Sequence, residues 1–227
     1  MKAMILAAGM GNRMRPLTLH TPKPLLPVGN KPLIVWHIEK LKAIGVTEIV
    51  INTAWLGEKL LEALGDGSQF GVQIYWSHEG EGLETAGGII NALPLLGDAP
   101  FILLNGDVWT DMDFSGLLEV ELADNLAHLV LVDNPAQHPD GDFCLSQNRA
   151  YLFEQQQPGE HLTYSGIAVY SPQLFKGLDA GKRAMLPIFK QAMQNKQVSA
   201  EKMQARWVDV GTPARLAELD QQLSASI

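Results

Sequence analysis

The sequence predicts an α/β fold with a doubly wound, mostly parallel sheet. Short apolar or β-branched segments alternate with segments of helical periodicity through the first half of the chain. Phe101–Leu104 is an uninterrupted apolar run, typical of a strand buried on both faces of a parallel sheet. Gly9 and Gly11 directly follow the first strand, at the edge where such sheets bind ligands. The pattern therefore predicts a ligand site at that edge.

The first half is expected to contain four strands and three helices. The strands are predicted at Met4–Ala7, Glu48–Thr53, Val72–Trp76 and Phe101–Leu104. The helices are predicted over 31–43 with Pro32 in the first turn and Gly45 as C-cap, over Gly57–Leu64, and from a Thr85 cap to Leu93 before Pro94.

The second half is less regular after a strand at Ala127–Val132. Extended pieces at Ala150–Glu154 and Thr163–Tyr170 predict a small β-rich subregion against one end of the main sheet. Helices are predicted at Leu174–Leu178 and Lys182–Asn195, and a strand is predicted within Arg206–Val210. A last helix is predicted with Thr212 as N-cap and Pro213 as first residue, and a short tail follows it to residue 227.

Composition and charge exclude several classes of function. The 227 residues carry a formal net charge of −8, which disfavours nucleic acid as a partner because duplex binding needs a broad basic face. No apolar run is long enough to predict a membrane span, and Met1 leads straight into the first strand, which leaves no room for a signal peptide. The single cysteine, Cys144, excludes an internal disulfide and predicts a cytoplasmic protein.

Basic residues are concentrated in the first 38 positions. That segment has no Asp or Glu and carries +5, whereas the remainder, with 12 basic and 25 acidic residues, carries −13. A cationic segment on a glycine loop is what a polyphosphate requires, and the alternative is a surface loop with solvated cations. The five cations are Lys2, Arg13, Arg15, Lys23 and Lys31.

The glycine loop matches neither of two common phosphate-binding motifs. The dinucleotide fingerprint needs a third Gly where Met14 stands, and the Walker motif needs Gly-Lys-Ser/Thr, which is absent. Pro22 and Pro24 flank Lys23 and restrict the backbone on both sides of it. We therefore expect Lys23 to lie on a stiff segment.

Asp107 follows the buried strand at Phe101–Leu104 and is preceded by Gly106, which keeps its surroundings open. A carboxylate in that place suits Mg²⁺, which takes one or two protein carboxylates and completes its shell with phosphate and water. The alternative is that Asp107 only caps a turn. Asp111 and Asp113 are interpreted as turn and helix-capping residues.

Several motifs together resemble the sugar-1-phosphate nucleotidyltransferases. These are G-M-G-N-R-M-R-P followed by P-K-P-L-L-P-V, N-G-D at 105–107, and W-V-D-V-G-T-P at 207–213. The family joins a nucleoside triphosphate to a sugar 1-phosphate with release of pyrophosphate, on a Rossmann-like nucleotidyltransferase fold. The resemblance implies one domain over 1–227, with a nucleotide-binding half at 1–110 and a sugar-binding half at 111–227.

The resemblance also implies roles for individual residues. Arg13 and Lys23 would be catalytic, with Arg15 in support, and Asp107 and Asp209 would hold Mg²⁺. Asp209 has the alternative of pairing with Arg206 or Arg215. The implied nucleotide-binding residues are Ala7, Ala8, Gly9, Gly11, Asn12, Arg13, Lys23, Glu79, Glu84 and Thr85. The implied sugar-binding residues are Asn105, Asp142, Glu154, Tyr164, Ser165 and Gly166.

The sequence departs from the family pattern at three positions. Glu84 stands where Gly is common, Gln155 stands where many relatives have a Lys that contacts the sugar phosphate, and Glu79 stands where uridylyl enzymes often have Gln. The Glu79 carboxylate could accept from N3–H of uracil or from N1–H of guanine. The overall pattern favours UTP and the uridylyltransferases of cell-wall sugar recycling, with mannose-1-phosphate guanylyltransferases as the alternative.

Two other classes of protein share features of this sequence. A nucleotide-sugar-dependent glycosyltransferase would use an Asp-x-Asp motif, which Asp111-Met112-Asp113 matches formally, but would not need the triphosphate loop. A non-catalytic nucleotide sensor would be expected to lack Asp107, Asp209 or Lys23. No hexapeptide repeat follows, so the acetyltransferase β-helix of some relatives is not expected. The expected assembly is a monomer or small homo-oligomer.

Overall fold

The computed structural model describes residues 1–225 of the chain. Within that range the first half alternates strands and helices as the sequence predicts. The end of the predicted C-terminal tail, residues 226 and 227, lies outside the described residues.

The strands and helices have the following bounds. The strands are β1 (Lys2–Leu6), β2 (Pro27–Val28), β3 (Lys31–Pro32), β4 (Glu48–Thr53), β5 (Gln73–His78), β6 (Phe101–Asn105), β7 (Val108–Thr110), β8 (Ala127–Val132), β9 (Phe143–Ser146), β10 (Arg149–Tyr151), β11 (Glu160–Tyr170), β12 (Val198–Lys202) and β13 (Trp207–Asp209). The α-helices are α1 (Leu33–Ala43), α2 (Gly57–Leu64), α3 (Glu84–Leu96), α4 (Ser115–Leu118), α5 (Leu186–Gln194) and α6 (Pro213–Ser224).

Within the described chain, nine strands form one mixed sheet in the order β5-β4-β1-β6-β11-β8-β12-β10-β9. The pairs β5–β4, β4–β1 and β1–β6 are parallel, so their carboxyl ends meet at one edge. β11 is antiparallel to both β6 and β8. The predicted doubly wound α/β fold is confirmed, but the sheet is mixed and not mostly parallel, because β11, β10 and β9 pair in the antiparallel sense.

Helices cover both faces of the sheet, as a doubly wound fold requires. α3 and α5 pack on one face through residues such as Ile89 and Phe189. α1 and α2 pack on the other face through residues such as Ile38 and Leu60. β1, β6 and β11 contribute alternate side chains to both layers. Each fully buried side chain of this size contributes about 1.5–3 kcal/mol to the free energy of unfolding.

β11 differs most from its predicted place. Thr163–Tyr170 is expected in a peripheral subregion, but it belongs to an eleven-residue strand between β6 and β8 in the middle of the sheet. β9, over Phe143–Ser146, is not predicted at all, and it pairs with β10 and β11. A strand inside a loop-like stretch is missed because long-range pairing, not local periodicity, stabilises it.

The N-terminus of α3 is capped differently from the prediction. The N–H groups of Ala86 and Gly87 both donate to the Arg183 carbonyl at 3.1 Å, and Arg183 N–H donates to the Leu83 carbonyl at 2.9 Å. The prediction of Thr85 as the cap is therefore wrong, because a distant segment supplies the acceptor. The same docking keeps residues 182–185 out of α5, which begins at Leu186 rather than at 182.

Three further predictions concern the ends of helices, and two of them need correction. Pro94 lies inside α3, which continues to Leu96 because the proline removes one helical hydrogen bond only near the C-terminal end. The helix expected at Leu174–Leu178 is a 3₁₀ turn over Pro172–Phe175. Thr212 caps α6 as predicted, and its hydroxyl accepts from the Arg215 N–H at 3.3 Å.

Candidate active site

A cavity of about 490 Å³ opens at the carboxyl ends of β1, β4, β5 and β6. This volume lies in the range of small-molecule sites. The cavity brings together every residue that is predicted to bind nucleotide, along with two residues that follow or end β6. They are Ala7, Ala8, Gly9, Gly11, Asn12, Arg13, Lys23, Glu79, Glu84, Thr85, Asn105 and Asp107.

Two cations of the N-terminal segment face this cavity. Arg13 lies on a 3₁₀ turn directly after the glycine loop and is exposed. Lys23 begins a second 3₁₀ turn, with Pro22 before it in extended geometry, and it is only 8% exposed. Because its stem is buried, Lys23 holds its ammonium at a fixed position rather than in solvent.

Asp107 lies on the turn between β6 and β7 and faces Lys23. The Lys23 Nζ to Asp107 Oδ2 distance is 2.7 Å, and the Asp107 side chain keeps 39% of its surface exposed. The Gly106 N–H donates to the Leu6 carbonyl at 2.9 Å, which ties this turn to the end of β1. The cation and the carboxylate thus meet although 84 positions separate them.

His37 contacts the strand that follows the same turn. Its Nε2 lies 2.9 Å from the Val108 carbonyl, and its ring is buried. Burial lowers the pKa of His37 to about 4. The ring is therefore neutral near pH 7, and Nε2–H donates to the carbonyl because a carbonyl oxygen can only accept.

Asp209 reaches the same region on β13. This strand is antiparallel to β7 with Asp209 opposite Val108, and the Val210 N–H donates to the Asp107 carbonyl at 2.9 Å. The Asp209 Oδ2 accepts from Arg215 Nη1 at 2.7 Å, so the alternative pairing with Arg215 is present. Asp209 lines a neighbouring cavity of about 170 Å³ rather than the larger one.

The two carboxylates fit a hard divalent cation in the chemistry and number of their oxygens. Gly211 lines the main cavity, and a Cβ added there would lie 3.1 Å from both Asp209 oxygens, so this glycine packs tightly against the carboxylate. Within residues 1–225, no group of three or more His, Cys, Asp and Glu forms a metal cage. A cation would therefore complete its shell with phosphate oxygens and water, as Mg²⁺ does.

Of the residues predicted to contact the base, Ala7, Ala8 and Gly9 follow β1, whereas Glu79 and Glu84 lie where β5 ends and α3 begins. Both oxygens of Glu79 already accept hydrogen bonds within the protein, from Asn52 Nδ2 at 2.6 Å and from the Leu83 N–H at 2.9 Å. Glu84 is exposed, has a left-handed φ of 60°, and lies 3.7 Å from Lys182 Nζ. The position where relatives commonly have Gly is thus one that requires a positive φ.

The residues predicted to bind sugar are more dispersed. Asn105 lines the main cavity and packs against Gly166, where an added Cβ would lie 2.6 Å from the Asn105 amide nitrogen. Asp142 is exposed and accepts from the Tyr164 N–H at 2.8 Å. The Ser165 hydroxyl is buried and donates to the Val130 carbonyl at 2.7 Å, so its side chain is used within the sheet.

Two further residues that were predicted to bind sugar, Glu154 and Tyr164, contact other side chains of the protein. Glu154 is exposed and lies 3.7 Å from Lys190 Nζ. The Tyr164 hydroxyl is 3.0 Å from that of Tyr170, and burial raises the pKa of Tyr164. The Gln155 side chain, where relatives have Lys, accepts from the Leu152 N–H at 2.8 Å and so stabilises a turn.

Sequence reasoning missed Asn52 and Lys182, which both line the main cavity. Asn52 is a polar residue near the end of a predicted strand, and that position is a usable signal because parallel strand ends converge. Lys182 has no comparable signal, since its segment reaches the cavity only by docking on α3.

The Asp-x-Asp motif does not reach the cavity. Asp111 Oδ2 accepts from Arg206 Nε at 2.6 Å, and Asp113 Oδ1 accepts from the Ser115 N–H at 2.9 Å at the start of α4. Both carboxylates are structural acceptors, Asp113 in a local turn as predicted and Asp111 for the distant Arg206, which the prediction of a turn or cap did not include. The motif therefore gives no support to a glycosyltransferase.

A mixed sheet with a cationic glycine loop and two strand-end aspartates is the arrangement of a nucleotide-transferring enzyme. Residues 2–226 match the Nucleotidyl transferase family, and the chain belongs to that family. It is 52% identical over 223 residues to N-acetylmuramate alpha-1-phosphate uridylyltransferase of Neisseria meningitidis serogroup B, with 96% of each chain covered.

A more distant relative agrees with this family, and a solved structure shares the fold. The mannose-1-phosphate guanyltransferase of Schizosaccharomyces pombe is 32% identical, and the match covers 94% of this chain and 61% of that longer protein. A solved structure from Bacillus anthracis, described as a candidate glucose-1-phosphate thymidylyltransferase in complex with sucrose, has a TM-score of 0.86. It is 24% identical, covers 98% of this chain and 95% of that one, and shows the shared fold.

The helices give one further finding. None of those within residues 1–225 is long and apolar enough to cross a membrane.

Proposed function

We propose that this protein forms UDP-N-acetylmuramate and pyrophosphate from UTP and N-acetylmuramate α-1-phosphate, a step of cell-wall sugar recycling in the cytoplasm. The observation that carries the proposal is the 52% identity over almost the whole chain to a uridylyltransferase of that substrate. The cavity supports it, because Arg13, Lys23 and Asp107 line one space of suitable size.

The reaction joins two anions, so charge and not proton transfer is the main barrier. An oxygen of the sugar phosphate attacks the α-phosphorus of UTP, and the bond from that phosphorus to the bridging oxygen breaks with its electron pair leaving on pyrophosphate. The attacking oxygen is already ionised near pH 7, and no general base is needed. Positioning and electrostatic stabilisation supply the catalysis.

Each cation has a separate task in this proposal. The Arg13 guanidinium binds the β- and γ-phosphates with its planar set of donors and stabilises the departing pyrophosphate. Lys23 neutralises the α-phosphate and the incoming phosphate. In the absence of substrate Lys23 pairs with Asp107 at 2.7 Å, and the phosphates replace that carboxylate as its partner.

Asp107 and Asp209 are the residues that would hold Mg²⁺. When bound there, the cation neutralises phosphate charge that the two protein cations leave uncompensated. Asp107 loses its contact with Lys23 when phosphate binds. Asp209 keeps its hydrogen bond from Arg215 on Oδ2, so Oδ1 of Asp209 is the oxygen that would face the cation.

The substrates are tested by a panel that measures pyrophosphate release. UTP, GTP, dTTP, CTP and ATP are each combined with the 1-phosphates of N-acetylmuramate, mannose and glucose. Fast release with UTP and N-acetylmuramate 1-phosphate supports the proposal, and fast release with GTP and mannose 1-phosphate supports the guanylyltransferase instead. Release that does not depend on any sugar phosphate contradicts both.

The metal and cation roles are tested by Asp107→Asn, Asp209→Asn and Lys23→Ala. We expect each to lower kcat/KM by about 10²-fold or more, because a lost charge at the reacting phosphates is not replaced by solvent. Asp113→Asn is the matched control, since the Asp113 carboxylate accepts from Ser115 outside the cavity and its loss should leave turnover unchanged. Near-normal rates of an aspartate variant at saturating Mg²⁺ would remove that residue from the site.

A further inference from the structure

Asn52 connects three strand ends beneath the cavity. The Ala7 N–H, directly after β1, donates to Asn52 Oδ1 at 2.7 Å. Asn52 Nδ2, near the end of β4, donates to Glu79 Oε1 at 2.6 Å, and Glu79 directly follows β5. The other Glu79 oxygen accepts from the Leu83 N–H at 2.9 Å. One side-chain amide therefore joins the start of the glycine loop to the Glu79 carboxylate.

The two partners of Asn52 permit only one orientation of its amide. A backbone N–H can only donate, so it requires the amide oxygen, and a carboxylate can only accept, so it requires the NH₂ group. Asn52 is 3% exposed, and solvent does not compete for either contact. The carboxylate of Glu79 is thereby held by two donors at fixed positions.

Packing on the far side keeps the same groups in place. Gly88 on α3 lies so close that an added Cβ would be 2.4 Å from Glu79 Oε1 and 2.9 Å from Asn52 Nδ2. Neither group can move toward the helix. Both line the main cavity, so the carboxylate presents its remaining lone pairs there as a rigid acceptor.

We propose that Asn52 is a positioning residue for nucleobase selection, which fixes Glu79 as an acceptor that admits uracil or guanine and rejects cytosine or adenine. The inference rests on the proposed function only in taking the cavity to bind a nucleoside triphosphate. Uracil N3 and guanine N1 carry a hydrogen that a carboxylate accepts. The same ring positions of cytosine and adenine carry a lone pair, which a fixed carboxylate repels.

The comparison of UTP with CTP isolates this effect, because the two bases have the same size. The Kd of each nucleotide is measured by calorimetry with the full chain and Mg²⁺. For the wild type we expect UTP to bind at least about tenfold more tightly than CTP, since a hydrogen bond to a charged group is replaced by repulsion. Equal affinities would overturn the inference.

Asn52→Ala removes both contacts of the amide. We expect the ratio of the two Kd values to fall about tenfold, mainly through weaker UTP binding, whereas a general loss of fold would weaken both nucleotides alike. Asn91→Ala is the matched control. Its amide donates to the Ser77 hydroxyl and the His78 carbonyl, and it does not line the cavity.

Asn52→Asp is a second variant in case the alanine variant does not fold. It keeps the size of the side chain and an acceptor for Ala7, but it places a second carboxylate against Glu79. We expect the same loss of selectivity. An unchanged UTP to CTP ratio in a folded Asn52 variant would overturn the inference and leave the proposed function intact, whereas a wild type that binds no nucleotide would overturn both.

Discussion

At the scale of single residues, the site pairs each strand-end carboxylate with one cation. Lys23 holds one oxygen of Asp107, and Arg215 holds one oxygen of Asp209. The two aspartates are also joined through the backbone, by the hydrogen bond from Val210 to the Asp107 carbonyl. Because each carboxylate keeps one oxygen outside its ion pair, the site can exchange partners without losing its shape.

His37 gives the protein a specific dependence of stability on pH. Burial lowers the pKa of His37 from its ordinary value of 6.5 to about 4, so the unfolded state binds more protons between these two pH values. The contribution of His37 is thus fully present above pH 6.5 and is lost as pH falls toward 4. We expect about 2 kcal/mol of the free energy of unfolding to be lost between pH 7.5 and 5.

Urea unfolding of the wild type and His37→Gln at both pH values measures this contribution. The glutamine keeps a donor for the Val108 carbonyl but does not titrate, so the pH dependence should be smaller in the variant by that amount. His20→Gln is the control, since His20 is exposed. An identical pH dependence of wild type and His37→Gln would contradict the assignment.

The residues that bear charge could be predicted, whereas most of their partners could not; the pair of Asp209 with Arg215 is the exception. Lys23 and Asp107 stand out because a stiff loop and a buried strand place them at one sheet edge. The contact of Asn52 with Glu79 depends on the register between neighbouring strands, which local sequence does not encode. The separate uses of Ser165 and Gln155 depend on which neighbour supplies a hydrogen-bond partner.

At the scale of elements, α3 illustrates how tertiary contacts override local signals. Its first turn is capped by the Arg183 carbonyl, and its first residue, Glu84, has a φ of 60°. A side chain in the left-handed region costs about 1–2 kcal/mol relative to the ordinary helical region. The helix thus begins with a strained residue, and a carbonyl occupies its N-terminal donors.

Glu84→Gly should relieve this strain. We expect the free energy of unfolding to rise by about 0.5–1 kcal/mol, because glycine adopts a positive φ without a steric penalty although it gains entropy in the unfolded chain. Glu84→Ala is the matched control, since it removes the carboxylate and keeps a Cβ in the left-handed region. Equal stabilities of the two variants, compared by thermal unfolding, would show that φ is not the cause.

Elements with strong local signals were predicted to the residue. β4, α2 and β8 have the predicted bounds, because a β-branched run, a glycine stop and an apolar run mark them. Residues 182–185 were predicted as helix and are not, because the backbone N–H and C=O of Arg183 pair with Leu83 and with the first turn of α3. Periodicity alone cannot detect such an exchange of partners.

At the scale of the whole molecule, the proposed halves at 1–110 and 111–227 share one sheet. β6 of the first half pairs with β11 of the second over four residue pairs. Each hydrophobic layer also crosses the boundary, with Met4 and Phe189 in one and Ile5 and Ile167 in the other. The two halves are therefore expected to be one unit of stability rather than two.

Thermal unfolding should accordingly be a single cooperative transition. We expect the calorimetric and van't Hoff enthalpies to agree, because neither half keeps a complete core once the other has unfolded. Differential scanning calorimetry of the full chain measures both enthalpies. Two resolved transitions would instead mean that the parallel half and the half that contains β11 unfold separately.

The central place of β11 has a consequence for how the chain is made. A ribosome releases residues 101–105 well before residues 160–170. Until β11 has been made, β6, which is apolar on both faces, has no strand paired to one of its edges. During that interval the nascent chain exposes a surface that other chains can pair with. The open edge of β6 is thus covered only after residue 170 has emerged, and chaperone contact is most useful in that window.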